Sequence, residues 1–163
     1  MSNWIEQVRA LEAVEREAAL ERLGTRDPRC LFCSEAEPGV LVHTLDGIEC
    51  YECLCLRQGR SPIELHHPAG RHNSPITVAI PANEHRLLSR LQRGWPEQTL
   101  RNSDGSPLLE MAAIIRGWLD VLYLILDRLV AKLPASLERL DDLLKAKLGD
   151  RWWESLGFKV DDD

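Results

Sequence analysis

The chain has 163 residues, 44% of them hydrophobic and 28% charged, a composition that excludes an intrinsically disordered protein and is typical of a globular one. Residues 1–24 are charged throughout and lack the apolar segment of a signal peptide. The longest apolar stretch, residues 107–133, contains six charged side chains, which argues against a membrane span. We therefore expect a cytoplasmic protein without a membrane partner.

The charge of the chain is unevenly distributed. The net charge of −6 argues against a nucleic-acid partner, but residues 56–101 hold seven arginines against three glutamates, a local charge of +4. The other segments are acidic, at −2 for residues 1–24, −4 for 25–55 and −4 for 102–163. A basic segment in an acidic chain is either a chance fluctuation or the footprint of a phosphate-binding surface. We expect the second, with nucleic acid as the partner.

The first half of the chain predicts one helix followed by short strands. Apolar residues recur at three- and four-residue steps over residues 3–23, and Gly24 stands where a carboxyl-terminal cap belongs. Cysteines, prolines and short apolar pairs predict short strands and tight turns over residues 25–60. Residues 61–81 predict a β-hairpin with a long, turn-rich loop and a second strand at residues 76–80.

Helices predominate after the hairpin. We expect a helix that Asn83 caps and Gly94 ends, a polar linker over residues 98–106, and a helix over 107–133 that is apolar on more than one face. The last predicted elements are a helix over residues 136–148, separated from the previous one by Pro134, and an amphipathic turn that contains Trp152, Trp153 and Leu156.

Two CxxC pairs predict a structural zinc site. Cys30 and Cys33 form the first pair, Cys50 and Cys53 form the second, and sixteen residues separate the pairs. Each pair can place two thiolates on one tight turn, and two such turns complete a tetrahedral cage around zinc, as in a zinc ribbon. Disulfides are disfavoured without an export signal, and a redox CxxC normally stands alone. The spacing leaves open whether Cys55 replaces Cys53.

Three histidines predict a second, open metal site. His66 and His67 end the first strand of the predicted hairpin, and His85 lies early on the following helix. Neighbouring residues on a strand point to opposite sides, so one histidine of the pair can bind a metal ion while the other faces the substrate. A neutral imidazole suits both tasks. The two remaining histidines, His43 and His72, are expected to be ordinary residues.

The run Glu64-Leu-His66-His67-Pro-Ala-Gly-Arg71-His72-Asn73, with His85 eighteen positions after His67, resembles the HNH nuclease family. The resemblance covers residues 61–93 and implies a ββα fold closed around one divalent ion. It implies that His66 and His85 are metal ligands, that His67 is the general base that activates water, and that Asn73 tethers the loop. Arg71 is expected to clamp a phosphate, and Arg86 and Arg90 to extend the basic surface along the helix.

The sequence departs from the family pattern in three places. Pro81 and Glu84 occupy positions where many members carry a CxxC pair, so either the upstream cysteines have taken over zinc binding or the second knuckle has been lost. Asn73 lies early in the loop, whereas the family asparagine often lies nearer to the position of Ile76. Glu84 either adds a ligand beside His85 or faces solvent, and we expect the second.

These features predict an α+β fold in which a small, zinc-stabilised ββα-metal core is flanked by an amino-terminal helix and a carboxyl-terminal helical hairpin. The expected divisions are the helix at residues 1–24, the zinc ribbon and nuclease-like core at 25–97, and the helical region at 98–163. Residues 107–148 either mediate a homodimer, dock a partner protein, or pack on the core.

The expected function is an endonuclease that hydrolyses phosphodiester bonds in DNA, in preference to RNA, by a one-metal mechanism with a histidine base. Its cofactors would be one catalytic divalent ion (Mg²⁺, Mn²⁺, Zn²⁺ or Ni²⁺) and one structural Zn²⁺. Double-stranded DNA is the expected partner. The alternative is a non-catalytic, zinc-stabilised nucleic-acid-binding or adaptor protein on a degenerate scaffold, in which the three histidines hold a second structural zinc or none.

Overall fold

A computed structural model describes residues 4–130, 133–155 and 157, and it is an α+β structure. The chain begins with helix α1 (Trp4–Leu23), as predicted, and Gly24 follows it in the left-handed conformation with φ of 65°. Contacts within the chain divide it into two compact units, Met1–Leu122 and Tyr123–Asp163. No helix within the described ranges is long and apolar enough to cross a membrane.

The cysteine-rich segment forms a hairpin and a short helix. Strands β1 (Leu41–Thr44) and β2 (Gly47–Cys50) pair in antiparallel fashion, and helix α2 (Tyr51–Arg57) starts directly after β2. A 3₁₀ turn, Pro38–Val40, precedes β1. The core of this segment is small, and two of its cysteines are part of it. Its buried members are Leu23, Cys30, Leu41 and Cys50.

A buried carboxylate joins the hairpin to α2. The Glu49 side chain is fully buried, and its two oxygens accept hydrogen bonds from Nε of Arg57 at 2.9 Å and from Nη2 of Arg57 at 2.7 Å. The Thr44 hydroxyl also donates to Glu49, at 2.6 Å. These hydrogen bonds hold the pKa of Glu49 below its usual value. A buried charge is tolerated here because it is fully paired.

The predicted second hairpin is present, with a helix directly after it. Strand β3 (Ile63–His66) pairs with β4 (Val78–Pro81), so that His66 lies opposite Val78, and helix α3 (Ala82–Arg93) begins after Pro81. The second strand therefore starts two residues later than predicted.

The prediction that Asn83 caps this helix is wrong. Pro81 occupies the cap position, and Asn83 lies inside the first turn with 3% of its surface exposed. Its Oδ1 accepts a hydrogen bond from the backbone N–H of Glu52, at 3.2 Å. Because Glu52 belongs to the first turn of α2, Asn83 satisfies a donor of that helix and joins α3 to the cysteine-rich segment.

The polar segment after α3 is not an open linker. Helix α4 (Glu97–Arg101) forms within it, and Asn102 then adopts the left-handed conformation and exchanges two hydrogen bonds with the backbone of Ser106. Thr99 is buried in this helix. The segment is folded because its main chain has partners elsewhere in the protein. The carbonyl oxygen of Thr99, for example, accepts a hydrogen bond from Asn73.

The long apolar helix is shorter than predicted. Helix α5 (Pro107–Ile125) begins at the proline, as expected, but passes into a π-helical turn at Leu126–Val130. In the second unit, α6 (Leu133–Leu148) precedes α7 (Trp152–Ser155), and the Trp152 indole donates to Asp141 at 2.8 Å. Leu156, predicted as part of the amphipathic turn with Trp152 and Trp153, lies outside the described residues.

Helix α5 packs closely on the loop that follows β3. A Cβ atom added at Gly117 would lie 1.9 Å from the carbonyl oxygen of Pro68, which is main chain and cannot move aside alone. The indole N–H of Trp95 also donates to the buried Asp120 of this helix, at 2.9 Å. Ala69, Trp95 and Ala113 form the small core between these elements. Helix α5 thus holds in place the main chain of Pro68, the residue after His67.

We expect Gly117→Ala to destabilise the protein by about 1–3 kcal/mol, because the added methyl group must displace either the loop or the helix. Glu110→Ala, an exposed change on the same helix, should alter stability by less than about 0.5 kcal/mol. Urea unfolding of both variants measures the difference. Equal stability of the two variants would contradict the close packing of Gly117 on Pro68.

Candidate functional site

Four cysteine thiols converge in the first unit. The Sγ atoms of Cys30, Cys33, Cys50 and Cys53 all lie within 4.8 Å of one another. Two adjacent thiols, those of Cys33 and Cys50, are 3.6 Å apart. Sulfur ligands of a tetrahedral zinc ion are separated by roughly 3.8 Å, since each Zn–S bond is about 2.3 Å long. The cluster can therefore hold a structural zinc ion.

The local fold explains this convergence. Cys30 and Cys33 lie on one turn, which the backbone hydrogen bond from Ser34 to Cys30 closes, and Cys50 and Cys53 lie on another at the start of α2. The Cys53 backbone N–H points at the sulfur of Cys50, at 3.5 Å. Cys55 is buried but outside the cluster, so the structure selects Cys53 as the fourth member.

The charge state of the cluster also fits a cation. Burial acts to raise the pKa of Cys30, but backbone N–H groups, among them that of Cys50, lower it to about 7. Burial raises the pKa of the Cys33 thiol to about 11 and also raises that of Cys53. Four crowded, desolvated thiols cannot all ionise without a compensating positive charge, which a divalent ion supplies.

The histidine pair and the following helix form a second cluster. The rings of His66 and His85 meet edge to face with their centres 5.2 Å apart. Two imidazoles bonded at about 2.1 Å to one tetrahedral ion have ring centres roughly 5 Å apart, so this spacing is compatible with shared coordination. Burial, followed by the charges of His85 and His67, lowers the pKa of His66 to about 4. His66 is therefore neutral at neutral pH, which is the form that binds metal ions.

A carboxylate orients the second of these rings. Nδ1 of His85 donates to Glu64 Oε2 at 2.5 Å, and this leaves Nε2 of His85 as the free ring nitrogen. A carboxylate on the far nitrogen is the usual support of a metal-bound histidine. Glu64 also accepts from Arg86, at 3.2 Å, so both of its oxygens are engaged.

His67 faces a different environment from its neighbour. It is half-buried, and its Nδ1 lies 3.3 Å from the carbonyl oxygen of Ser74. Because a carbonyl oxygen only accepts hydrogen bonds, this contact favours the tautomer with the hydrogen on Nδ1 and the lone pair on Nε2. A neutral histidine held in this tautomer can accept a proton through Nε2.

Two amides fix the loop after β3. Gln92 donates to the carbonyl oxygens of His67 at 2.7 Å and Pro68 at 2.8 Å, and it lies 3.4 Å from Nε2 of His66. The buried Asn73 donates to the carbonyl oxygens of Ala69 at 3.1 Å and Thr99 at 2.9 Å. Asn73 thus closes a turn within the first half of the loop and joins it to α4.

The sequence did not single out Glu64 and Gln92 as supports of this site, although a periodic signal was present. Glu64 and His66 are two residues apart on a strand and share a face. His85 and Gln92 are seven residues apart on α3 and therefore also share a face. These two faces meet where the strand and helix pack, which the sequence pattern alone does not establish.

Fewer arginines of the basic segment, residues 56–101, are free to bind phosphate than its composition predicts. Arg86 pairs with Glu64 and lies 4.6 Å above the Tyr51 ring, and Arg90 pairs with Glu15 and donates to the carbonyl oxygen of Gly39. Arg86 and Arg90, which were predicted to extend a phosphate-binding surface, thus both have partners within the chain, and 37% of the Arg86 side chain and 15% of the Arg90 side chain are exposed. Arg71 is exposed on the loop.

The remaining predicted residues have structural or surface positions. His72 is exposed, and His43 makes a 3.0 Å contact with the Leu23 carbonyl oxygen. Glu84 was expected to face solvent, but it is half-buried. Burial and the neighbouring charge of Glu84 raise the pKa of Glu52. Within the described ranges, the four cysteines are the only cluster of three or more potential ligands with converging ligand atoms.

Comparisons with protein-family models, with curated proteins and with solved structures found no match for this chain. The sites above therefore have to be interpreted from their own geometry.

We expect the purified protein to contain one zinc ion per chain and Cys50→Ser to lose it, because Cys50 is one of the four converging thiols. Removal of that ligand should lower the thermal midpoint by several degrees, since the hairpin and α2 have little other core. Metal analysis and thermal melting measure both effects. The matched control is Cys55→Ala, which should retain its zinc. Zinc loss in the control together with retention in Cys50→Ser would contradict the assignment.

Proposed function

We propose that the protein is a zinc-stabilised, metal-dependent endonuclease that hydrolyses phosphodiester bonds in DNA, in preference to RNA. One observation gives the proposal its main support: two neighbouring histidines, His66 and His67, lie in different environments. The His66 ring meets that of His85, whose Nδ1 is bound by Glu64, while His67, which lies just after the end of β3, contacts the Ser74 carbonyl oxygen through Nδ1 and has Nε2 available. This arrangement supports metal binding by His66 and His85 and base catalysis by His67. The resemblance of residues 61–93 to the HNH pattern supports it as well.

The donor set suits a divalent ion in an open site. Two neutral imidazoles leave several coordination positions for water and a phosphate oxygen, unlike the closed set of four thiols. When bound, the ion would stabilise negative charge on the scissile phosphate and on the departing 3′ oxygen. Mg²⁺, Mn²⁺, Zn²⁺ and Ni²⁺ all remain candidates, and we propose Zn²⁺ for the cysteine cluster.

The residues of the chain would then supply the remaining chemistry. Nε2 of His67 takes a proton from a water molecule, whose oxygen forms a bond to phosphorus as the bond from phosphorus to the 3′ oxygen breaks. The hydrogen bond to Ser74 holds the His67 ring in the tautomer that this step needs. Asn73 keeps the loop in place, and the exposed Arg71 can clamp a neighbouring phosphate through its planar donors.

Fewer arginines are available to contact DNA than the arginine count of residues 56–101 suggests. Of the seven arginines, Arg57, Arg86, Arg90 and Arg101 have carboxylate partners. Exposed Arg60, Arg71 and Arg93 are the arginines on which phosphate contacts would rest. A small number of phosphate contacts predicts weak binding to DNA with a shallow dependence on salt concentration.

We expect the wild-type chain to nick supercoiled plasmid in the presence of Mg²⁺ or Mn²⁺, and EDTA to stop the reaction. His67→Ala should lower the nicking rate by about 10²–10⁴-fold, because the general base is removed. The matched control is His72→Ala, which removes an exposed histidine of the same loop and should cut at the wild-type rate. Gel electrophoresis of time courses measures all three rates.

Two results would overturn parts of the proposal. If the wild-type chain, with its zinc in place, leaves DNA and RNA intact with every divalent ion, the enzyme proposal fails and the non-catalytic nucleic-acid-binding or adaptor protein takes its place. If His67→Ala cuts as fast as His72→Ala, the chain is an enzyme but His67 is not its base.

A further inference from the structure

The outward face of α5 carries a row of large apolar side chains. Between 46% and 78% of the surface of each of these side chains is exposed, and they follow one another at alternating steps of three and four residues. The row, named here the α5 stripe, consists of Leu108, Met111, Ile115, Trp118 and Leu122. Alternating steps of three and four residues give the 3.5-residue period of a coiled-coil seam.

The opposite face of the helix explains why the α5 stripe points outward. Ala113, Gly117 and Asp120 are buried on the side that contacts the loop after β3 and Trp95. These are small or polar residues, and they let the helix approach closely. The large apolar side chains therefore lie on the face of α5 that points away from the loop after β3 and from Trp95, which is the reverse of an ordinary surface helix.

We propose that the α5 stripe is the interface with the α5 stripe of a second copy of this chain. A second copy supplies an apolar row of the same length and period, and a two-fold axis brings identical surfaces together. No charged residue lies within the stripe, so the pairing creates no repulsion between like charges.

The exposed area supports this occupant. Five large side chains with roughly 100 Å² exposed on each amount to about 1,000 Å² for two copies, which is near the smallest area that a biological interface buries. The patch on one copy, about 500 Å², lies toward the upper end of what monomeric proteins expose. The proposal does not rest on nuclease activity, since it follows from α5 alone.

The test is the mass of the full, zinc-loaded chain by sedimentation equilibrium over a range of concentrations. The wild-type chain should sediment at twice the 18.5 kDa chain mass. The double variant Ile115→Asp with Leu122→Asp should weaken the dimer by more than about 100-fold, because it buries unpaired carboxylates in the seam. Both side chains are exposed, so circular dichroism and zinc content should stay unchanged.

The matched control is the double variant Leu45→Asp with Leu56→Asp, which places the same charges on two exposed leucines of the β1–β2 turn and α2. It should remain a dimer. A wild-type chain that stays monomeric at high micromolar concentration overturns the proposal. So does a dimer that survives the change of Ile115 and Leu122, because self-association would then use another surface.

Discussion

The convergence of four thiols is the constraint on which the first unit depends. The segment between α1 and β3 contains two four-residue strands, a short helix and a core in which Cys30 and Cys50 are buried members. So small a core stabilises little by itself, and a metal ion that joined its two turns would replace the missing apolar contacts. The hydrogen bond between Asn83 and Glu52 then joins α2 to α3, the helix that carries His85.

The two clusters differ in the number of coordination positions that they would leave open on a metal ion. Four thiols around one ion would form a closed set and suit a structural role, whereas a site built on His66 and His85 would have two nitrogen ligands and leave coordination positions for other ligands. The histidine site gains its precision from groups around it. Glu64 orients His85, Ser74 orients His67, and Gln92 holds the main chain between them.

Features set by local sequence could be predicted, and features set by distant partners could not. Helix α1, the hairpin of β3 and β4 and the cysteine cluster follow from periodicity, turn residues and the CxxC spacing. Asn83 has the residue type of a helix cap, but its partner Glu52 lies 31 positions away. In the same way Arg90 looked like surface charge, whereas Glu15 and Gly39 engage it inside the fold. Tertiary contacts of this kind leave no periodic trace in a single sequence.

We propose that His66 and His85 share a divalent ion at a site separate from the cysteine cluster. Anomalous diffraction from crystals soaked in Mn²⁺ tests this most directly. We expect a manganese peak bonded to an imidazole nitrogen of His66 and one of His85, and a distinct zinc peak among the four sulfurs. A crystal saturated with Mn²⁺ that shows no peak between these two rings would contradict it.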